Sequence, residues 1–251
     1  MNSHLRYLGH STVLFDIDGA RILTDPLLVD RLGLLHRHSD AVAHLIDDVK
    51  IDAVLISHAH HDHLHLPSLR RCRGKPRIIV PRGLGGLASR TGHDVMEVAV
   101  GERLDVGGVG IEVIRAEHDG RRRPFGPSAE SIGYRITGSS SAYFAGDTDL
   151  FPGMADMAGT VDVALLPVWG WGPRLGAGHL DPGRAAEAVV RIRPRIAIPI
   201  HWGTFYPFAF ARLWPHPLGD PPREFAREAA RLAPETHVRI LEPGEAMPLG
   251  G

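Results

Sequence analysis

The sequence predicts an α/β (α+β) fold of four layers, in which two β-sheets pack face to face and helices cover both outer surfaces (αββα). Three observations predict it. Short β-like runs open the chain and return in its middle, helices and strands alternate after each β-rich stretch, and no low-complexity linker interrupts the 251 residues. Two sheets with helices outside bury the apolar face of every element. We therefore expect one domain over residues 1–251.

The first half of the chain combines short apolar runs with turn signals. Strands are expected at residues 5–8, 12–17 and 21–24, and Asp18-Gly19 is a hairpin turn signal. Beyond the hairpin, the pattern predicts a helix over 41–49, a strand over 53–57, a helix over 66–73, a strand over 77–80 and a helix over 84–91. The compact apolar strand over 53–57 runs directly into a histidine cluster.

The second half begins with β-rich sequence and ends in alternation. Strands are predicted over residues 96–100, 109–116, 131–137 and 142–145. The last third predicts a strand over 161–167, a helix over 182–193, a strand over 195–200, a helix over 222–232 and a strand over 238–242. Because the β-rich and alternating segments recur loosely in both halves, we expect two sheets.

Charge and composition restrict the class of protein. The 28 Lys and Arg residues against 29 Asp and Glu residues leave a formal net charge of −1, so no global field attracts nucleic acid or acidic membranes. No stretch approaches the roughly 18 apolar residues of a membrane span, and the N-terminus lacks an apolar signal-peptide core. We expect a cytoplasmic enzyme with a small-molecule substrate, no nucleic-acid partner and no stable membrane insertion; a homo-oligomer is compatible with the sequence. The single cysteine, Cys72, excludes an internal disulfide and is predicted to be a partly buried thiol.

The strongest chemical signal among the 16 histidines is the run His58-Ala59-His60-His61-Asp62-His63. It follows an apolar strand, and residues two apart in an extended chain point to the same side, so His58 and His60 can reach one metal ion. Asp62 and His63 follow after the chain turns and can face a second ion. Nitrogen and carboxylate ligands suit Zn²⁺, with Mn²⁺ or Fe²⁺ as alternatives. The competing interpretation is a solvated His-rich loop, which would have no further ligand-type residues at strand ends downstream.

Such downstream residues are present. His118 follows the predicted strand over 109–116, Asp147 follows the strand over 142–145, and His201 follows the strand over 195–200. A single histidine after a strand is more often structural. Three ligand-type residues in the order His, Asp, His behind the histidine run place a metal site along one edge of the sheets.

These residues resemble the metallo-β-lactamase superfamily, whose five motifs would span residues 25 to 201. Four flanking segments are similar to the branch that contains ascorbate-6-phosphate lactonase and N-acyl-phosphatidylethanolamine phospholipase D: Leu8-Gly9-His10-Ser11-Thr12-Val13-Leu14, Leu23-Thr24-Asp25-Pro26, Gly146-Asp147-Thr148 and Ile200-His201-Trp202-Gly203-Thr204-Phe205. The resemblance implies a metallo-β-lactamase-type sandwich.

The resemblance also implies two divalent metal ions with assigned ligands. One ion would be held by His58, His60 and His118. The other would be held by Asp62, His63 and His201, and Asp147 would bridge the two. Asp62 is a catalytic candidate because its carboxylate could both bind a metal ion and orient the hydroxide. The resemblance adds His179 as a second catalytic candidate, because His179 in Gly178-His179-Leu180-Asp181-Pro182 matches a histidine that precedes a Pro-containing helix start in that branch.

Several residues near the predicted site keep two interpretations each. Asp25 and His10 are either partners of the ligands or ordinary turn and packing residues. His61 would point away from the ions, and His65 stands where relatives in the branch often carry Asp. The segment Arg121-Arg122-Arg123 is either a solvated loop or an anion clamp, and Trp169 and Trp171 belong either to a flap over the core or to a substrate wall.

The leading functional hypothesis is hydrolysis of an ester, lactone or phosphoester of a small molecule by a hydroxide held between two metal ions roughly 3.5–4 Å apart. The alternatives are a phosphodiesterase or nuclease of the same superfamily, a diiron redox protein, and a non-catalytic metal-binding protein. The neutral charge balance disfavours nucleic-acid processing. The chain also has no Cys pairs for a rubredoxin-like redox partner domain, and a structural zinc needs only four ligands.

Overall fold

The computed structural model describes residues 3–40, 42–170 and 175–250. Within these residues the chain forms strands and α-helices joined by short 3₁₀ turns. In chain order the strands are β1 (His4–Tyr7), β2 (Val13–Ile17), β3 (Ala20–Thr24), β4 (Arg31–Leu32), β5 (Leu35–Arg37), β6 (Ala53–Leu55), β7 (Arg77–Pro81), β8 (Val95–Val98), β9 (Arg103–Val106), β10 (Val109–Arg115), β11 (Ile132–Thr137), β12 (Ser141–Phe144), β13 (Val163–Pro167), β14 (Ile196–Ile200), β15 (Phe205–Pro207), β16 (His237–Val238) and β17 (Ala246–Pro248). The helices are α1 (Leu66–Arg71), α2 (Gly85–Ala88), α3 (Pro182–Ile192), α4 (Phe208–Leu213) and α5 (Asp220–Leu232).

Two seven-stranded sheets organise these elements. The first has the strand order β17-β1-β2-β3-β6-β7-β8, and the second has the order β16-β14-β13-β12-β11-β10-β9. Each sheet is mixed: β1, β2 and β3 are antiparallel whereas β3, β6, β7 and β8 are parallel, and β9 to β12 are antiparallel whereas β12, β13, β14 and β16 are parallel. β15, β5 and β4 form a small third sheet that shares no strand with the other two.

The core is layered in the way that the sequence predicts. The inner faces of both sheets share one apolar cluster, which includes the fully buried Phe15 and Tyr7 of the first sheet and Tyr134 and Phe144 of the second. A second cluster joins α3 and α5 to the outer face of the second sheet, and a third joins α1 and α2 to the outer face of the first. The αββα prediction is therefore confirmed.

The predicted elements differ from the structure mainly where an element is short or where a strand pairs with one that is distant in the sequence. The helix predicted over 41–49 is a single 3₁₀ turn, Ala43–Ile46, and Ala41 lies outside the described residues. The strand predicted over 238–242 is only β16, and the chain instead pairs β17 with β1. The short strands β4, β5, β9, β15 and β17 were not predicted, because two to four residues carry too little period-two pattern.

The fold gathers several strand ends at one edge, and glycine permits the close approach there. Gly146 has a φ of +61°, and a Cβ at this position would lie 2.5 Å from the Cβ of Ser57. Only glycine fits such a position, so the loop after β12 can lie directly against the loop after β6. None of the helices in the described part of the chain combines the length and the apolar character that a membrane span requires.

Candidate metal centre

Four strand ends deliver the predicted ligands to the same place. The loop after β6 carries the histidine run, and the segments after β10, β12 and β14 carry His118, Asp147 and His201 respectively. β6 and β14 are buried over their whole length and β12 over its last three residues, so these polar side chains begin where the apolar core ends. The structure therefore brings all seven predicted ligands to one edge, within two groups of potential metal-binding atoms.

The first group consists of His58, His60, His118 and Asp147. Nδ1 of His60 lies 2.9 Å from Nε2 of His58 and 3.3 Å from Nε2 of His118, and Oδ2 of Asp147 lies 4.0 Å from Nε2 of His58. Ligand atoms about 2.0–2.1 Å from a tetrahedral Zn²⁺ lie roughly 3.3 Å from one another. The distances from Nδ1 of His60 to the other two ring nitrogens are therefore close to the spacing that one such ion requires.

The second group consists of His10, Asp62, His63 and His201. Oδ2 of Asp62 lies 3.5 Å from Nε2 of His63 and 3.7 Å from Nε2 of His201. Oδ2 of Asp147 lies 3.4 Å from each of the same two nitrogens. Because Asp147 also belongs to the first group, its carboxylate stands between the two, as a bridging ligand would.

His10 is the member of the second group whose role could not be assigned from the sequence. Its Nε2 lies 3.0 Å from Oδ2 of Asp62, and the side chain is buried. Its ring centroid lies 4.0 Å from that of His201. The sequence places Gly9 and His10 at a turn, but it does not show that this turn lies against the end of β14, which carries His201.

Asp25 is a partner of the ligands and not merely a turn residue. Its Oδ2 lies 2.7 Å from Nδ1 of His63, so His63 donates to it from Nδ1 and directs Nε2 into the second group. The same carboxylate accepts hydrogen bonds from the backbone N–H of Ser57 at 2.8 Å and from its hydroxyl at 2.5 Å. A carboxylate that accepts a hydrogen bond from one ring nitrogen of a histidine fixes the tautomer and the orientation that the other nitrogen needs to bind a metal ion.

Two further ligands are oriented through their second ring nitrogen. Nδ1 of His118 donates to the carbonyl of Gly178 at 2.7 Å, which leaves Nε2 for the first group. Nδ1 of His58 lies 2.9 Å from the hydroxyl of Ser57, which again leaves Nε2 for the first group. The hydrogen bonds thus place the lone pairs of both histidines toward a common point.

Burial keeps the nitrogen-rich group neutral. It lowers the pKa of His58 well below its usual range, lowers the pKa of His60 to about 4, and also lowers the pKa of His118. A neutral imidazole has a lone pair to offer, whereas a protonated one has none. At neutral pH these three side chains are therefore ready to bind a cation.

The carboxylates of Asp62 and Asp147 have the opposite effect on the pKa of a neighbouring histidine. Burial disfavours the charged form of His63, but Asp147 and Asp62 outweigh it and raise the pKa of His63 well above its usual range. Burial also disfavours the ionised forms of Asp62 and Asp147. The surrounding histidines outweigh it and hold the pKa of both carboxyls well below the usual range. His63 contributes most to this lowering for Asp62, and His201 contributes most for Asp147. Buried negative charge of this kind requires a compensating cation, which protons or metal ions can supply.

Two buried atoms of the centre fit a metal ion directly. Within the described residues, Nε2 of His63 and Oδ1 of Asp147 make no hydrogen bond of normal geometry. Buried polar atoms are almost always satisfied, so such atoms indicate a partner of another kind. The donor set of imidazole nitrogens and carboxylate oxygens suits Zn²⁺, Mn²⁺ or Fe²⁺.

His179 lies beside the first group without belonging to it. Its ring centroid is 4.7 Å from that of His118, and it also lines a cavity of about 730 Å³. Asp181 caps α3 by accepting from the N–H of Arg184 at 2.8 Å, and Pro182 takes the first helical position, as the sequence suggests.

Besides His179, the cavity is lined by Trp169, Leu175, Arg184, His216 and Glu224 among others. Trp171 lies outside the described residues.

The basic segment after His118 holds the histidine loop. Nη1 of Arg122 donates to the carbonyl oxygens of Ala59 at 2.6 Å and Leu64 at 3.0 Å, and Nη2 lies 2.9 Å from Nδ1 of His61. The anion-clamp hypothesis therefore does not apply to this guanidinium, which is directed at backbone. Arg123 pairs with exposed Asp119 at 3.0 Å.

His65 caps the helix that follows the histidine loop. Its Nδ1 accepts from the backbone N–H of Ser68 at 3.3 Å and lies 2.8 Å from the hydroxyl of Ser68. The N-cap position of α1 is thus filled by His65, so its role is to end the loop and begin the helix. His61, in the same loop, is exposed, as expected for a residue that points away from the ions.

Comparison with known proteins relates this chain to a described family. A profile described as Beta-lactamase superfamily domain matches residues 20–202. A UPF0173 metal-dependent hydrolase of Methanopyrus kandleri is 32% identical over 253 residues, covering 96% of this chain and 98% of the relative. The N-acyl-phosphatidylethanolamine-hydrolyzing phospholipase D 1 of Caenorhabditis elegans is 30% identical over 228 residues, covering 79% of this chain and 63% of the relative.

A solved structure extends the likeness over the whole chain. Igni18, described as a metallo hydrolase of the archaeon Ignicoccus hospitalis, superimposes with a TM-score of 0.77 at 25% sequence identity and covers 100% of both chains. The Caenorhabditis phospholipase supports the branch that the flanking segments predict.

Proposed function

This chain belongs to the metallo-β-lactamase superfamily of metal-dependent hydrolases, and we propose that it is a binuclear enzyme that cleaves an ester, lactone or phosphoester bond of a small molecule. The observation that carries the proposal is the pair of ligand groups that meet at Asp147. A structural zinc site needs four ligands, whereas two adjacent groups that share a carboxylate suit catalysis.

In the proposed assignment, His58, His60 and His118 would hold one ion, and Asp62, His63 and His201 would hold the other. Asp147, whose Oδ2 lies near ring nitrogens of both groups, would be shared between them. Zn²⁺ is the first choice, and Mn²⁺ or Fe²⁺ would suit the same donors. When bound, such ions would lower the pKa of a coordinated water from its high bulk value toward neutrality, and they would polarise the bond to be cleaved.

The remaining steps fall to residues of the chain. The carboxylate of Asp62 lies close to ring nitrogens of His10, His63 and His201. At this position it can bind a metal ion and also orient the nucleophile. His179 lies between the first ligand group and the cavity, where its imidazole can give a proton to the leaving group. The cavity of about 730 Å³ accommodates a small molecule, and Trp169 supplies an apolar wall.

Among these bonds, a phosphodiester is the one that a named relative supports. The relative from Caenorhabditis elegans is named for hydrolysis of N-acyl-phosphatidylethanolamine, which contains a phosphodiester. We keep the carboxylic ester or lactone and the phosphodiester as alternatives for one site. We also propose that the protein works in the cytoplasm as a single hydrolase domain and without a nucleic-acid partner.

Metal analysis combined with a substrate panel tests this proposal. Protein purified without chelator should contain more than one divalent ion per chain, and it should hydrolyse an ester, a lactone or a phosphodiester when loaded with Zn²⁺, Mn²⁺ or Fe²⁺. The substrate that is cleaved identifies the bond class. Full activity of metal-free protein on any of these substrates would refute the proposal.

Asp62→Ala separates catalysis from folding. We expect kcat to fall by at least about a hundredfold, because the carboxylate acts on the nucleophile, whereas the apolar strands keep the protein folded. Asp94→Ala is the matched control, because Asp94 pairs with Arg77 on the surface. Kinetics and a thermal melt are measured for both variants. If the residual activity of Asp62→Ala merely follows its folded fraction, Asp62 is structural.

A further inference from the structure

His10 has a backbone conformation that histidine rarely adopts. Its φ is +55°, in the left-handed region that favours glycine, and it follows Gly9 at +92°. Such a conformation costs free energy in a non-glycine residue and persists only where the surroundings determine it. It therefore calls for contacts that hold the residue in place.

Three hydrogen bonds supply these contacts. The N–H of His10 donates to the hydroxyl of Thr204 at 2.7 Å, and its carbonyl accepts from the N–H of His201 at 2.8 Å and from the hydroxyl of Tyr7 at 3.2 Å. Two of these partners lie in the segment that follows β14. The turn between β1 and β2 in the first sheet is thus tied to the strand end of the second sheet that presents His201.

The held backbone directs the imidazole at one carboxylate. Nε2 of His10 lies 3.0 Å from Oδ2 of Asp62, and the side chain is 2% exposed. The ring also packs against His201, with centroids 4.0 Å apart, and against the edge of Phe205 at 6.1 Å. No solvent separates the imidazole from the carboxylate at this distance.

We propose that His10 is a positioning residue of the second metal site. Its Nε2–H donates to Oδ2 of Asp62, while its carbonyl holds the backbone of His201, so one residue fixes two ligands that come from different sheets. Carboxylates that ligate metals are commonly hydrogen-bonded in turn, and loss of such a bond weakens metal binding. A nitrogen that donates its proton to Asp62 has no lone pair for the ion, so His10 acts through Asp62 and not as a ligand.

The inference rests on the proposed binuclear site, and its test needs no substrate. Competition with a chromophoric chelator measures the affinity for the first and second Zn²⁺, and Co²⁺ absorption reports the ligand geometry. The variants are His10→Met, which removes the donor, and His10→Gln, whose amide keeps a donor near the position of Nε2. His93→Met is the matched control, because His93 bonds the carbonyl of Leu69 away from the centre at 2.9 Å.

We expect His10→Met to bind the second ion at least about tenfold more weakly, with the first ion unchanged. His10→Gln and His93→Met should retain both affinities and the Co²⁺ spectrum of the unmodified protein. Unchanged binding in His10→Met overturns the inference. So does equal loss of the second ion in His10→Gln, which would make His10 a ligand.

Folding and metal stoichiometry keep the outcomes separate. If His10→Met does not fold, His10→Asn replaces it, because Asn tolerates a positive φ but its shorter side chain does not carry a donor to the position of Nε2. Loss of the second ion in His10→Asn with retention in His10→Gln supports the positioning role, and retention in both variants overturns it. The unmodified protein decides the proposed function separately: a single bound ion refutes the binuclear proposal, whereas two bound ions without hydrolysis refute only the catalytic part of it.

Discussion

His179 lies at the boundary between the metal centre and the cavity. Its ring approaches that of His118, and its Nδ1 lies 3.4 Å from the carbonyl of Gly176. The capped start of α3 follows directly after it, which fixes the backbone on one side. A residue in this position can act on the leaving group without holding a metal ion.

We therefore expect His179→Ala to keep both ions while kcat falls by at least about a hundredfold, the low end of what a placed general acid contributes. Metal analysis and steady-state kinetics measure the two effects. Unchanged turnover on the true substrate would contradict the catalytic role. Loss of an ion would show that His179 is a ligand.

Cys72 illustrates a residue without a role in the chemistry. Burial raises the pKa of its thiol to about 12, and Sγ lies 3.6 Å from the carbonyl of Ser68. Because thiolate is the reactive form, only on the order of one thiol in ten thousand is ionised at pH 8. We expect a thiol reagent to modify Cys72 slowly in the native protein at pH 8 and rapidly in guanidinium. Fast stoichiometric reaction of the native protein would be incompatible with this burial.

At the scale of residues, what could be predicted depended on distance along the chain. The histidine run was recognisable because its ligands lie within six residues of one another, and His118, Asp147 and His201 were recognisable because each follows an apolar strand. Asp25 and His10 could not be assigned, because their contacts with His63 and Asp62 join remote segments. Both also adopt a positive φ, which no pattern of residue types foretells for Asp or His.

At the scale of elements, the loop between β6 and α1 presents most of the ligands and has little regular structure of its own. Arg122 compensates for this by binding the carbonyls of Ala59 and Leu64, and it lies 3.4 Å from the carbonyl of His60. One planar guanidinium can serve several acceptors at fixed angles, which a lysine cannot do. The loop after β10 therefore braces the loop after β6.

We expect Arg122→Ala to destabilise the protein by about 2 kcal/mol, because it leaves buried carbonyls without their donor. For a chain of this size that corresponds to a fall in Tm of roughly 4–8 °C. Arg122→Lys should recover only part of it. Arg121→Ala is the matched control, since the side chain of Arg121 is exposed in the same loop. Equal Tm values for the two Ala variants would contradict the bracing role.

The elements themselves show where sequence patterns stop. Strands with a clear run, such as β2, β10 and β14, appeared at their predicted positions within one or two residues. The pairing of β17 with β1 was not predictable, because it joins Leu5 to Met247 across nearly the whole chain. Burial and pairing, which decide such short strands, are properties of the folded sheet and not of the local sequence.

At the scale of the whole molecule, each ion would connect the two sheets. The first group takes His58 and His60 from the first sheet and His118 from the second. The second group takes Asp62 and His63 from the first sheet and His201 from the second. Metal binding is thus expected to stabilise the sandwich at the edge where its apolar core ends.

Removal of the ions should therefore lower the thermal stability of the entire fold. A ligand that binds only the native state at 100 times its Kd contributes about 2.7 kcal/mol, which for a chain of this size corresponds to roughly 5–10 °C in Tm. We expect the protein to lose at least this much after treatment with chelator and to regain it when Zn²⁺ is added back. In His118→Ala the gain on adding Zn²⁺ should be smaller, because the first ion then loses one of its ligands from the second sheet. Calorimetry of the metal-free and zinc-loaded forms measures the difference, and identical Tm values would show that the ions do not join the sheets.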